Sequence, residues 1–145
     1  MTDQQQFEEQ VNRYASFVEK NDYGALSGLL DLACMYEDGS MIVGRDNVID
    51  LFHAADEWVK QNFDSIEQEC TPRWREDHWI MEITSRAECR GESCAHKCEQ
   101  RLEFTPEGLV EFIQYIFLPG EVEKLSRFMT RVGIEHQQPE TSDPD

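Results

Sequence analysis

The sequence predicts an α+β domain shaped like a cone, with N-terminal helices packed on a curved antiparallel sheet and an extra C-terminal helix. Three observations predict it. Apolar residues recur with helical spacing from Phe7 to Val18, and again from Val48 to Val59. From Phe63 the period changes to two, punctuated by turn signals at Glu76-Asp77, Gly91-Glu92 and Pro106-Glu107-Gly108. After Pro119-Gly120 the helical spacing returns.

The first helix is expected from Phe7 to Lys20, with Phe7, Val11, Tyr14 and Phe17/Val18 on one stripe. Asn21-Asp22 ends it and caps a shorter helix carrying Leu26, Leu29 and Leu30. An extended segment, Ala33 to Tyr36, runs into the turn Glu37-Asp38-Gly39. A third helix follows Gly44 and turns Val48, Leu51, Phe52, Ala55 and Trp58/Val59 inward. In the first strand of the meander Ile66, Cys70 and Trp74 share a face, and Pro72 argues for a sheet edge. Trp79, Met81 and Ile83 continue that face in the second strand. The third runs from Cys94 to Phe104, and the fourth from Leu109 to Leu118. Val122, Leu125, Phe128/Met129 and Val132 mark the last helix, stopped at Gly133. Residues 1–133 are thus expected to form one domain and residues 134–145 a disordered acidic tail.

The net charge is −17, which repels phosphate backbones and anionic lipid surfaces and excludes nucleic acid and membrane as expected partners. The polar start lacks a secretion signal, and no apolar run approaches the ~20 residues of a membrane span. The expectation is a soluble cytoplasmic protein whose cysteines are mostly reduced.

Two-residue turns at Glu76-Asp77 and Gly91-Glu92 set a register in which opposed residues share a face. Trp74 then opposes Trp79, Cys89 opposes Cys94, Ser85 opposes Cys98, and Ile83 opposes Gln100. A three-residue loop at Pro106 to Gly108 brings Val110, Phe112, Gln114 and Ile116 onto the same, mostly apolar face. That face also carries Gln68, Ser85, His96, Gln100 and Gln114. Buried amides must be hydrogen-bonded, so several of them suit a hollow better than a packed core. Candidate ligand-binding residues are therefore Phe17 and Phe52 from the helices, and Trp74, Trp79, Met81, Ile83, His96, Cys98, Gln100, Phe112 and Gln114 from the sheet.

The element order resembles the nuclear-transport-factor-2-like (NTF2-like, SnoaL-like) superfamily. The resemblance rests on Tyr36-Glu37-Asp38-Gly39, on Gly44-Arg45-Asp46-Asn47-Val48-Ile49 and on Phe104-Thr105-Pro106-Glu107-Gly108-Leu109-Val110. The opening stretch, Val11-Asn12-Arg13-Tyr14, then Asn21-Asp22-Tyr23 and Glu37-Asp38, is most similar to ketosteroid isomerase. The resemblance implies a pocket for a small hydrophobic molecule, no cofactor, and a homodimer formed through the outer sheet face. It implies that Asp38 takes a proton beside a carbonyl while Tyr14 donates to the developing oxyanion. At the family's second oxyanion donor, a neutral aspartic acid, this sequence has Gln100. Read from the residues alone, the turn before glycine is the favoured role of Asp38, and Tyr14 equally serves a core.

Cys89, Cys94, His96 and Cys98 do not gather a metal on an unbroken strand. Alternate residues lie about 6.6 Å apart, so Cys94 and Cys98 are on the order of 13 Å apart, far beyond a zinc site. Opposed Cys89 and Cys94 could form a disulfide, but buried free thiols are the expected state in a reducing compartment. Three functions follow, in order. The first is a small-molecule-binding protein, with isomerase- or cyclase-type chemistry on a hydrophobic carbonyl compound. The second is a non-catalytic dimeric interaction domain, and the third a cysteine-based redox or metal module.

Overall fold

In the computed structural model, which describes residues 2–134, helices α1 (Asp3–Gln6), α2 (Glu8–Lys20) and α3 (Tyr23–Ser27) precede strands β1 (Leu30–Glu37) and β2 (Met41–Val43). Then follow α4 (Arg45–Asn62), strands β3 (Ser65–Arg75), β4 (His78–Cys89), β5 (Glu92–Phe104) and β6 (Val110–Ile116), and helix α5 (Glu121–Arg131). The strands form one sheet in the order β2-β1-β6-β5-β4-β3, antiparallel except for the β1–β6 pair. The α+β architecture is the one expected.

Local chemistry sets the boundaries. Asn21 adopts the left-handed conformation that ends α2, and the Asp22 carboxylate accepts the Ala25 amide at 3.2 Å to start α3. Pro72 lies in β3, which is an edge strand, so its missing N–H breaks no ladder between two neighbours. Strand β2 goes unmarked by periodicity because three residues are too few to show a period. Ile134, assigned to the tail by sequence, instead packs with Phe128, Met129 and Val132. The rest of the expected tail lies outside the described residues.

The β3–β4 register is as expected, with Trp74 opposite Trp79 and Cys70 opposite Ile83. The β4–β5 hairpin differs. Its turn is Arg90-Gly91, both at positive φ, so Cys89 faces Glu92, Ala87 faces Cys94 and Met81 faces Gln100. The shift is two residues, an even number, and every side chain keeps its expected face.

Strand β6 is corrected. Phe104 pairs with Val110, but Glu103 pairs with Phe112, so Glu111 is an extra residue and forms a bulge. Beyond it the faces reverse. Ile113 and Tyr115 point inward, whereas Phe112, Gln114 and Ile116 lie on the outer face with Glu103, Arg101 and Glu99. There Gln114 accepts from Arg101 at 3.3 Å and donates to Glu37 at 3.4 Å.

Two apolar clusters result. One joins α2, α3 and the middle of the sheet around Tyr14, Leu26, Met81 and Ile113; the other joins α5 to the β4–β5 hairpin end around Phe128.

Candidate functional site

Strand alternation turns Cys94, His96, Cys98 and Gln100 of β5 toward the helices, and α4 sends Phe52, Asp56 and Trp58 to meet them. Between lies a cavity of about 590 Å³, within the range of small-molecule sites. Its walls draw on both clusters, with Leu26, Tyr36 and Ile83 from one and Phe63, Leu125 and Met129 from the other. The void explains a second departure from expectation. Of the inward stripe of α4 only Val48 is fully enclosed, because Phe52, Trp58 and Val59 face space instead of packed side chains.

One end of the cavity is polar. The Tyr14 hydroxyl, itself fully enclosed, donates to Gln100 Oε1 at 2.7 Å. Burial pushes the Tyr14 ionisation well above its ordinary range, so the hydroxyl stays protonated and remains a donor. Gln100 is only 8 % exposed, and its Nε2 has no hydrogen-bond partner among the described residues. The amide N–H is left facing the cavity that Gln100 lines.

Beside it lie the Tyr115 hydroxyl and the Cys98 thiol, and burial raises the pKa of both groups, which keeps them neutral. Tyr36 is likewise held neutral by burial, with the Asp38 charge adding to the effect. An uncharged floor of amide, phenol and thiol can hold a neutral oxygen acceptor. It can also stabilise negative charge that develops there. Further along β5, burial lowers the affinity of His96 for a proton, which keeps the imidazole neutral at neutral pH.

Asp38 sits at the end of β1, half-buried, and accepts from the Ser40 amide and hydroxyl, both at 3.4 Å. Its charge reaches Tyr36 and Tyr115, yet no hydrogen bond joins it to Tyr14 or Gln100. Of the three residues the resemblance brings to one point, the structure joins Tyr14 and Gln100.

Phe52, Ile83, His96, Cys98 and Gln100 stand on the cavity wall. Trp74, Trp79 and Met81 do not. Trp74 and Trp79 meet edge to face, centroids 5.5 Å apart, and with Met81 they fill the opposite end of the sheet as solid core. Phe17 packs on that core with the Arg13 guanidinium 5.9 Å above its ring. Phe112 and Gln114 are excluded by the β6 bulge.

Sequence reasoning missed Tyr36, Tyr115 and Asp56. Asp56 carried a readable signal, since Phe52, Asp56 and Val59 follow the i, i+4, i+7 spacing of one helix face. Tyr115 carried none, because nothing in the sequence announces the bulge. All five cysteines are free thiols, and Cys94 lies opposite Ala87 instead of Cys89. No group of three or more metal-ligating side chains assembles among the described residues. Nor is any described helix long and apolar enough to cross a membrane.

No family model matches the sequence, and no curated protein does. Solved structures do match. A candidate polyketide cyclase from Xanthomonas campestris pv. campestris superposes with TM-score 0.65 at 11 % identity, over 90 % of this chain and 99 % of its own. An NTF2-like protein of unknown function from Burkholderia pseudomallei gives 0.63 at 13 % identity, over 91 % and 98 %. A hypothetical protein of ketosteroid isomerase-like fold from Catenulispora acidiphila, solved with trimethylamine, gives 0.62 at 16 % identity, over 88 % and 94 %. At such identities the likeness concerns the fold, which is NTF2-like and SnoaL-like.

Proposed function

We propose that this chain of NTF2-like fold binds a small hydrophobic carbonyl compound, with the carbonyl oxygen against the Gln100 amide N–H. The observation that carries the reading is the Tyr14–Gln100 bond. It fixes the amide with its oxygen turned into the core and its N–H turned to the hollow. The Gln100 N–H is not sealed in the protein interior; it opens onto the hollow, where a ligand or water supplies the acceptor. The apolar walls supply the complementary burial of a hydrocarbon frame.

Proton transfer of the isomerase or cyclase type belongs to the same reading. Asp38 stands behind Tyr36, off the cavity wall, and is the base in this reading once released from Ser40. The Gln100 amide takes the oxyanion role because Tyr14 donates inward. Calorimetric titration with 2-tetralone, an acidic ketone, should show saturable binding; a flat titration would exclude the carbonyl pocket. Exchange of its α-protons in heavy water, followed by NMR, should accelerate with the protein and fall to background with Asp38→Asn. Undiminished exchange in that variant removes Asp38 from the chemistry.

A second surface supports the expected dimer. Met35, Met41 and Val43 lie exposed on the outer face of β1 and β2, adjoining Phe112 of β6. We propose that a second copy covers them. Val43→Glu should shift sedimentation from dimer to monomer, and a wild-type protein that sediments as a monomer at all concentrations overturns the assignment.

A further inference from the structure

We infer that the cavity selects the charge of its ligand, taking a hydrophobic ketone that carries a cationic amine at the end away from Gln100 and refusing a carboxylate there. The inference rests on the carbonyl-binding reading above. No lysine or arginine is among the lining residues, whereas Glu19, Asp56 and Glu67 are. Glu67 counts least, since it sits on the outward parity of β3, opposite Arg86. Glu19, at the end of α2, accepts the Cys70 amide at 2.7 Å. Asp56 is the central group.

The Asp56 side chain is 8 % exposed, and Lys60, reaching in from solvent, holds its Oδ2 at 3.0 Å. A carboxylate accepts about four hydrogen bonds, so capacity for a second cation remains. The field of Asp56 reaches the wall. Burial and this carboxylate together push the Tyr23 hydroxyl up to about 12. The one imidazole on the wall, His96, is held neutral by burial and does not offset it. The rings of Tyr23, Phe52, Trp58 and Phe63 line the same space and offer faces that attract an ammonium.

Independently, the unpartnered Nε2 of the nine-tenths-buried Gln100 marks where the neutral acceptor end of the ligand goes. The two ends have a spacing. Tyr36, at the polar floor, meets the Phe52 ring edge-on at 5.3 Å. Asp56 lies one helical turn beyond Phe52, about 5–6 Å further along α4. A bicyclic ketone with a short aminomethyl arm fits that order. The overall charge of −17 steers cations toward the protein and anions away from it.

The test compares 2-tetralone with its 6-(aminomethyl) and 6-(carboxymethyl) derivatives by calorimetry. One charge near a partly buried carboxylate should make the amine about tenfold tighter than the parent and the acid about tenfold weaker. The advantage of the amine should shrink as salt rises from about 20 to about 300 mM. It should also shrink in Asp56→Asn and in Glu19→Gln, the latter keeping an oxygen for the Cys70 amide. Equal affinity of all three probes overturns the charge selection while the carbonyl pocket stands. No binding of any probe overturns both. Should Asp56→Asn fail to fold, the wild-type salt series and Glu19→Gln decide.

Discussion

Replacing Phe128 with alanine should destabilise α5 by about 3–5 kcal/mol, the usual range for removing a fully buried phenyl ring. The ring has no solvent exposure and lies 6.1 Å from Phe63, which in turn meets Trp58 at 5.8 Å. Met129, Val132 and Ile134 pack around it, so this one residue anchors the C-terminal helix to the end of the β4–β5 hairpin. Leu125 and Met129 add apolar contact, and polar links add to it, such as Glu121 accepting the Lys97 amide at 2.8 Å. Because the second cluster is separate from the first, the loss should appear as local opening. Hydrogen exchange should show α5 amides unprotected while the β3–β4 ladder stays protected. Leu125 and Met129 of α5 are cavity wall, so ligand affinity should fall with them. Unchanged exchange in α5 would mean that the helix is held by something other than this ring.

The sequence carried the faces of β3, β4 and β5 because a hairpin slipped by two residues keeps its parity. Cys94 was paired with the wrong partner, yet His96, Cys98 and Gln100 still fell on the inward face. It misplaced Phe112 and Gln114 because one inserted residue, Glu111, reverses parity. Amphipathic spacing found the inward side of α4, but periodicity reports only that a residue turns away from water. Whether it meets a packed partner, as Val48 does, or a void, as Phe52 does, depends on how far the sheet curves. Curvature is a property of the whole sheet, and the β6 bulge that bears on it is not written in a local pattern. The convergence of Tyr14 with Gln100 followed from the resemblance, whereas the direction of the hydrogen bond between them came only with the fold.

That direction separates stability from binding in one mutant cycle. Gln100→Leu leaves the enclosed Tyr14 hydroxyl without an acceptor and should cost about 1–3 kcal/mol of stability. Tyr14→Phe strands the Gln100 carbonyl oxygen instead and should cost a similar amount. The double variant replaces both partners by apolar groups of matching shape, so most of the stability should return. Affinity for 2-tetralone should behave otherwise. Gln100→Leu removes the donor and should weaken binding by about ten- to a hundredfold, the weight of one buried hydrogen bond of 1.4–2.8 kcal/mol. Tyr14→Phe should weaken it less, because the amide N–H is still present though no longer held in place. The double variant should melt near the wild type and bind as poorly as Gln100→Leu alone. Urea titration reads the first quantity and calorimetry the second. Wild-type affinity in the double variant would mean that the ketone never touched Gln100, since the pair would then be only a structural hydrogen bond facing a hollow that serves something else.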